Sequence, residues 1–157
     1  MNTELIQGAF IELVKPTAQY YELSPHLPGY EYDALAAPGV TFDHTPIDRP
    51  PTTLKAGDIV RETGQFTVGI VVELGQGTAT VNEYAEIIAD VINVAAYNEG
   101  SRLTASNTEI SDWWEFYFSG VDCKIRLTKP VDIRPGYKDG AHWRVPVVAS
   151  YEAETII

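Results

Sequence analysis

The sequence predicts one soluble domain of mixed helix and sheet, and three observations carry that reading. The chain has 157 residues, 45% of them hydrophobic and 21% charged, a balance that supports a core and argues against intrinsic disorder. Apolar residues recur at helical spacing in two segments, and they alternate with polar residues in several others. A domain of this size buries roughly 70% of the surface its unfolded chain exposes, so neither disulfides nor a structural metal is needed for folding.

The first helix is expected over residues 3–15. Ile6, Phe10 and Leu13 form its apolar stripe, with Leu5 and Ala9 beside them. Pro16 is expected to stop it, because proline has no N–H and its ring crowds the preceding turn. Residues 17–55 form a proline-rich arm, with Pro25, Pro28, Pro38, Pro46, Pro50 and Pro51. Only short regular structure is expected there. Tyr20, Tyr21, Tyr30 and Tyr32 are scattered through this part of the chain. Such a stretch is either a binding arm or a long loop wrapped over its own core with its tyrosines packed.

From residue 58 onward the pattern sharpens. Phe66, Val68, Ile70, Val72 and Leu74 alternate as in a strand. The turn Gly75-Gln76-Gly77-Thr78 follows, and then a helix whose face is Val81, Tyr84, Ala85, Ile88, Val91 and Ile92. Thr80 and Glu83 have the spacing of a capping box, and Asn98-Glu99-Gly100 reads as the end of the unit. The remainder reads as strands. Residues 113–118 are aromatic on both faces, residues 121–128 alternate, and residues 130–133 continue them. Residues 136–140 are turn-like, and Trp143, Val145, Val147, Ala149 and Tyr151 alternate in a last strand. Pro146 within that run predicts an edge position or a bulge.

Composition excludes several functions. The net charge of -11 comes from 22 acidic and 11 basic residues. With its basic residues read as unclustered, the chain is a poor ligand for nucleic acid or an anionic membrane surface. Cys123 is the only cysteine, so no internal disulfide forms, and its apolar neighbours read as a buried site for a small hydrophobe. The N-terminus lacks the features of a signal peptide, and no apolar run reaches the ~20 residues of a membrane span. A cytoplasmic protein is expected.

Catalytic, metal and cofactor-binding residues are all expected to be absent. The glycine turn lacks the lysine of a phosphate loop and the third glycine of a dinucleotide fingerprint. Gly75, Gly77 and Thr78 therefore read as a structural turn. His26, His44 and His142 have no second ligand at metal-binding spacing. His44, near Asp43 and Asp48, reads as part of a surface turn. No nucleophile elbow is present.

The run Trp113-Trp114-Glu115-Phe116-Tyr117-Phe118 must bury both faces, within a sheet or at a subunit boundary. Alternation puts Trp114, Phe116 and Phe118 on the core side and Trp113, Glu115 and Tyr117 at the boundary. These three, with Tyr20, Tyr21, Tyr30 and Tyr32, are the candidate interface residues.

The strand entering Val72-Glu73-Leu74-Gly75-Gln76-Gly77-Thr78, the amphipathic helix to Ala95 and Tyr97-Asn98-Glu99-Gly100-Ser101-Arg102-Leu103 form a familiar series. So does the close, Gly140-Ala141-His142-Trp143-Arg144-Val145-Pro146-Val147 with Tyr151. Together they resemble the tail terminator (tail completion) proteins of long-tailed bacteriophages. The resemblance covers about two-thirds of the chain and is firmest over residues 64–103 and 140–151. Its motifs are structural, and residues 106–127 and the proline-rich arm depart from them.

The resemblance implies an α+β fold, a mainly antiparallel β-sheet with two packed helices, in a single domain over residues 1–157. It implies a homohexamer ring that caps the completed tail tube and gives the head-tail connector or neck protein its attachment surface. The partners are then further copies of the chain, the tail tube protein and the neck protein, with DNA only as passing cargo and no membrane. The setting is the virion tail at its head-proximal end, assembled in the host cytoplasm, and no enzymatic activity is implied. Two alternatives stay open: another phage neck or head-completion protein, and a small-molecule-binding domain or enzyme using the Gly75–Gly77 turn.

Overall fold

Two long strands frame the molecule. β3 (Ile59–Glu73) and β8 (His142–Ile156) pair antiparallel along their whole length, from Ile59 opposite Ile156 to Glu73 opposite His142. The computed structural model describes residues 2–26, 38–48, 59–75, 77–104, 114–118 and 121–156. On one side of this pair lie β2 (Gly39–Asp48) and then β1 (Ser24–His26). On the other side of β8 lie β5 (Val121–Leu127), β6 (Asp132–Ile133) and β7 (Tyr137–Asp139), with β4 (Trp114–Phe118) beyond β5. The eight strands among the described residues form one sheet, antiparallel except for the β1–β2 pair. The helices α1 (Asn2–Tyr20) and α2 (Ala79–Thr104) pack on one face of it, which makes the fold α+β.

Alternation decides which face the helices cover. Phe66, Val68, Ile70 and Val72 of β3 and Val145, Val147, Ala149 and Tyr151 of β8 are buried with Val40, Phe42 and Ile125. Against them pack the stripes Ile6, Phe10, Val14 and Ala18 of α1 and Val81, Ala85, Ile88 and Ile92 of α2. The other sheet face carries cross-strand ion pairs instead. Arg61 meets Glu154 at 2.8 Å, Arg126 meets Glu152 at 2.9 Å and Arg144 meets Asp139 at 2.9 Å. The first two pairs are directly opposite in the register and the third is diagonal. Opposite charges across a sheet are favourable, though exposed pairs add little.

The first helix runs past Pro16 to Tyr20, correcting the predicted stop. Pro16 lies on the exposed side, where helices bend convex toward water and the hydrogen-bond ladder is longest. The buried stripe continues through it to Ala18. The helix ends at a Schellman turn: Leu23 N–H donates to the Ala18 carbonyl at 2.8 Å and Glu22 N–H to the Gln19 carbonyl at 3.2 Å. Glu22 holds the left-handed position, φ 57°, which glycine usually fills. Glu22→Gly is therefore expected to stabilise the protein by about 0.5–1 kcal/mol, because the left-handed conformation penalises a Cβ. A chemical denaturation midpoint that falls instead would contradict this reading.

Other boundaries differ for local reasons. The arm contains the ten-residue strand β2, longer than its prolines suggest. Pro46 is tolerated because β1 covers only Gly39 to Thr41, leaving the rest of β2 as an edge among the described residues. A bulge between Pro46 and Asp48 leaves Ile47 out of register. Helix α2 starts two residues before the predicted capping box. The Thr78 carbonyl accepts from Asn82 N–H at 3.0 Å, which makes Thr78 the N-cap and places Thr80 and Glu83 within the helix. The same helix runs through Gly100 to Thr104.

Residues 132–133 pair with β8 as β6 and do not extend β5. Residues 137–139 form β7, and the turn proper is Gly140-Ala141. Gly140 has φ 61°, the first central position of a type II′ hairpin turn. Pro146 lies in a strand paired on both sides. Its carbonyl accepts from Arg134 N–H at 2.9 Å, in the gap between β6 and β7. Backbone N–H and C=O of one residue point the same way in an antiparallel strand, so the missing donor falls in a break of the ladder.

Candidate functional site

The glycine turn is a hinge between strand and helix. Gly75 has φ 90° and Gly77 φ 76°, both in the region that favours glycine. Thr78 then caps α2. The turn has no basic residue in its sequence, and Gly75, Gly77 and Thr78 are exposed, so its chemistry is that of a reversal of chain direction.

His44 corrects the surface-turn expectation. It lies in β2 on the helix-covered face, opposite Phe66 in the pairing, and its Nε2 hydrogen-bonds the Tyr151 hydroxyl. Its ring tilts against Tyr151 at 5.4 Å and Phe66 at 6.3 Å. The histidine is a half-buried partner of a core tyrosine. Among the described residues no three His, Cys, Asp or Glu side chains gather as a metal set. No described helix is long and apolar enough to cross a membrane.

The tyrosines at the end of α1 do come together. Tyr20 is 79% exposed. Its ring meets Tyr21 edge-on at 4.9 Å, and Tyr21 meets Tyr84 of α2 at 6.0 Å. Tyr84 also packs against the core, so it anchors a surface cluster. Periodicity alone assigned Tyr84 to the packing face and missed this second role. Glu22 and Glu83, both exposed, flank the cluster.

The other candidates lie elsewhere. Glu115 and Tyr117 are in β4, paired with Lys124 and Asp122, at the end of the sheet opposite β1. Register puts positions 114, 116 and 118 in line with Ile125, Cys123 and Val121. Trp113, Tyr30 and Tyr32 lie outside the described residues.

Charge is distributed unevenly, correcting the reading of the basic residues as unclustered. Lys124, Arg126, Lys129, Arg134, Lys138 and Arg144 are six of the 11 basic residues, and only Asp132 and Asp139 of the 22 acids fall among them. The rest of the chain carries five bases against 20 acids. Lys129, Arg134 and Lys138 are exposed and lie along the sheet edge formed by β6 and β7. Ile133 and Tyr137 on the same edge are 43% and 46% exposed. Helix α2, by contrast, exposes Glu83, Glu86 and Asp90.

Helices on one face of a mainly antiparallel sheet, with charged strips and tyrosines on the surface, define a small α+β domain. A solved structure shares the fold over 98% of this chain and 96% of its own, with a TM-score of 0.65 at 18% identity. No curated protein matches the chain. A family model described as phage tail terminator protein matches residues 33–151. The chain belongs to the phage tail terminator family, a family of structural tail proteins.

Proposed function

We propose that the protein forms a ring that seats on the completed tail tube and presents its far face to the head-tail connector. The resemblance implies six copies. The observation that carries the proposal is the family match over residues 33–151. The fold supports it: the sheet has two distinct edges, β1–β2 and β4–β7, which lets one surface of a subunit meet a different surface of the next. Head-to-tail contacts of that kind close into rings when the rotation permits. In this reading the protein acts by shape and contact, at the head-proximal end of the tail, without cofactor or metal. The net charge of -11 suits a lumen through which DNA passes without being held.

Negative-stain microscopy of the protein with purified tail tubes tests the proposal. Rings seated on tube ends are the expected result. Rings on portal or head preparations would move the protein to the neck, and a monomer that leaves tubes bare would end the proposal.

A further inference from the structure

The strip on the β6–β7 edge and the end of α1, where the chain enters β1, carry opposite chemistry at the two ends of one row of the sheet. A single row of paired residues crosses it: Ser24 with Gly39, Gly39 with Val71, Val71 with Arg144, and Arg144 with Tyr137. Four strand spacings separate its ends, roughly 20 Å. At one end is Tyr137, in the strip with exposed Ile133, Arg134 and Lys138. Just before Ser24, at the other end, come Tyr20, Tyr21 and Glu22, with Tyr84 packed on Tyr21 and Glu83 next to it.

We infer that the β6–β7 strip of one copy seats on the Tyr20–Tyr21–Tyr84 cluster of a neighbouring copy, and that this contact forms a subunit boundary. The inference rests on the ring proposed above and names the surfaces that would close it. Three features select a second copy of the chain as the occupant. Arg134 and Lys138 on the strip complement Glu22 and Glu83 at the cluster, and opposite potentials set both register and partner choice. Each side exposes large apolar or aromatic side chains beside its charges, the composition of an interface centre with Tyr and Arg. The two surfaces are different patches of one chain, the strip on a sheet edge and the cluster where α1 meets α2, so the contact is head-to-tail and repeats around a ring.

Duplex DNA fits the strip less well. Lys129 is already paired with Asp132 at 2.9 Å, and the two remaining cations are few for a phosphate-tracking surface.

Charge exchange tests the inference with the full chain and tail tubes. Arg134→Glu with Lys138→Glu makes one variant, and Glu22→Lys with Glu83→Lys makes another. All four positions are exposed, so both variants should melt close to the parent protein. Each alone is expected to cap tubes ~10-fold less, because like charges then face each other. All four substitutions in one chain should restore capping. An equal mixture of the two variants should restore it too, since every boundary of an alternating ring then pairs unlike charges.

The inference fails if either variant caps as well as the parent, or if the combined chain is not rescued. It fails also if the Arg134→Glu, Lys138→Glu variant forms rings that do not seat on tubes, because the strip then faces the tube. Duplex DNA binding at physiological salt that this variant loses would assign the strip to DNA and overturn the inference. If the parent protein itself leaves tubes bare, the proposed function fails and the inference falls with it. If the parent caps and the variants cap equally, the inference fails alone.

Discussion

Phe10→Ala is expected to destabilise the protein by about 3–5 kcal/mol, the cost of truncating a core aromatic to leave a cavity. Phe10 is 1% exposed. Its ring stacks on Phe66 with centroids 4.7 Å apart and planes 9° from parallel, and it tilts against Tyr151 at 5.8 Å. Phe66 in turn meets Phe42 at 6.1 Å. One ring therefore ties α1 to β3 and β8 directly, and to β2 through Phe66. Removing it takes away transfer energy and also the stacking contribution of roughly 0.5–1.5 kcal/mol for an aromatic pair. The melting temperature should fall by roughly 10 °C, since each kcal/mol moves a domain of this size by about 2–4 °C. Tyr20→Ala is the matched control, because a side chain this exposed usually changes stability by less than about 0.5 kcal/mol. Denaturant titrations of the two variants check the difference. A loss below about 1 kcal/mol for Phe10→Ala would mean that α1 does not dock through this ring.

Much of the fold is legible in the sequence because burial leaves a periodic trace. Ile6 and Phe10, and Val81 through Ile92, announce two helices at their own spacing. Phe66 through Val72 and Val145 through Tyr151 announce the frame strands. What was hidden is where tertiary packing overrides a local signal. Pro16 reads as a stop, yet burial of Val14 and Ala18 carries the helix through it. The prolines of the arm read as irregular, yet Pro46 falls where β2 is an edge among the described residues, a place that tolerates proline. Glu22 gives no sign of a helix end because its left-handed backbone is imposed by the hydrogen bonds of Leu23 and by its own N–H.

The candidate surface was legible only in part. Tyr20 and Tyr21 stand out in the chain, but their link to Tyr84 requires α1 and α2 to be placed side by side. The concentration of bases between Lys124 and Arg144 is visible as a count. Its meaning depends on which of them share an edge, and Arg144 illustrates why. It spends its guanidinium on Asp139 and on the Thr41 hydroxyl, at 3.3 Å, whereas Arg134 and Lys138 face water. Strand order separates these roles, and no spacing in the sequence encodes it.

One substitution made at two glycines should give opposite signs. Gly64→Ala is expected to cost about 2–6 kcal/mol, combining overpacking of about 1–3 kcal/mol with damage to a buried hydrogen bond worth a similar amount. A Cβ at Gly64 would stand 2.6 Å from the Tyr151 hydroxyl, 2.9 Å from its Cζ and 2.8 Å from the Thr45 carbonyl oxygen. The last of these is backbone in the paired strand β2 and cannot swing away. Tyr151 is 1% exposed and shares its hydroxyl with His44, so it has no room to retreat without breaking that bond. Gly8→Ala, in α1, meets nothing within 4 Å. There the added methyl should stabilise by about 0.5–1 kcal/mol, the helical penalty of glycine relative to alanine. Thermal melts of the two variants should therefore move in opposite directions from the parent. Tyr151→Phe in the Gly64→Ala background adds a second reading: with the hydroxyl gone, part of the clash is relieved, and the two changes should cost less together than the sum of their separate effects. Strict additivity would show that the hydroxyl adds nothing to the crowding at Gly64, which then comes from the Thr45 carbonyl and the Tyr151 ring.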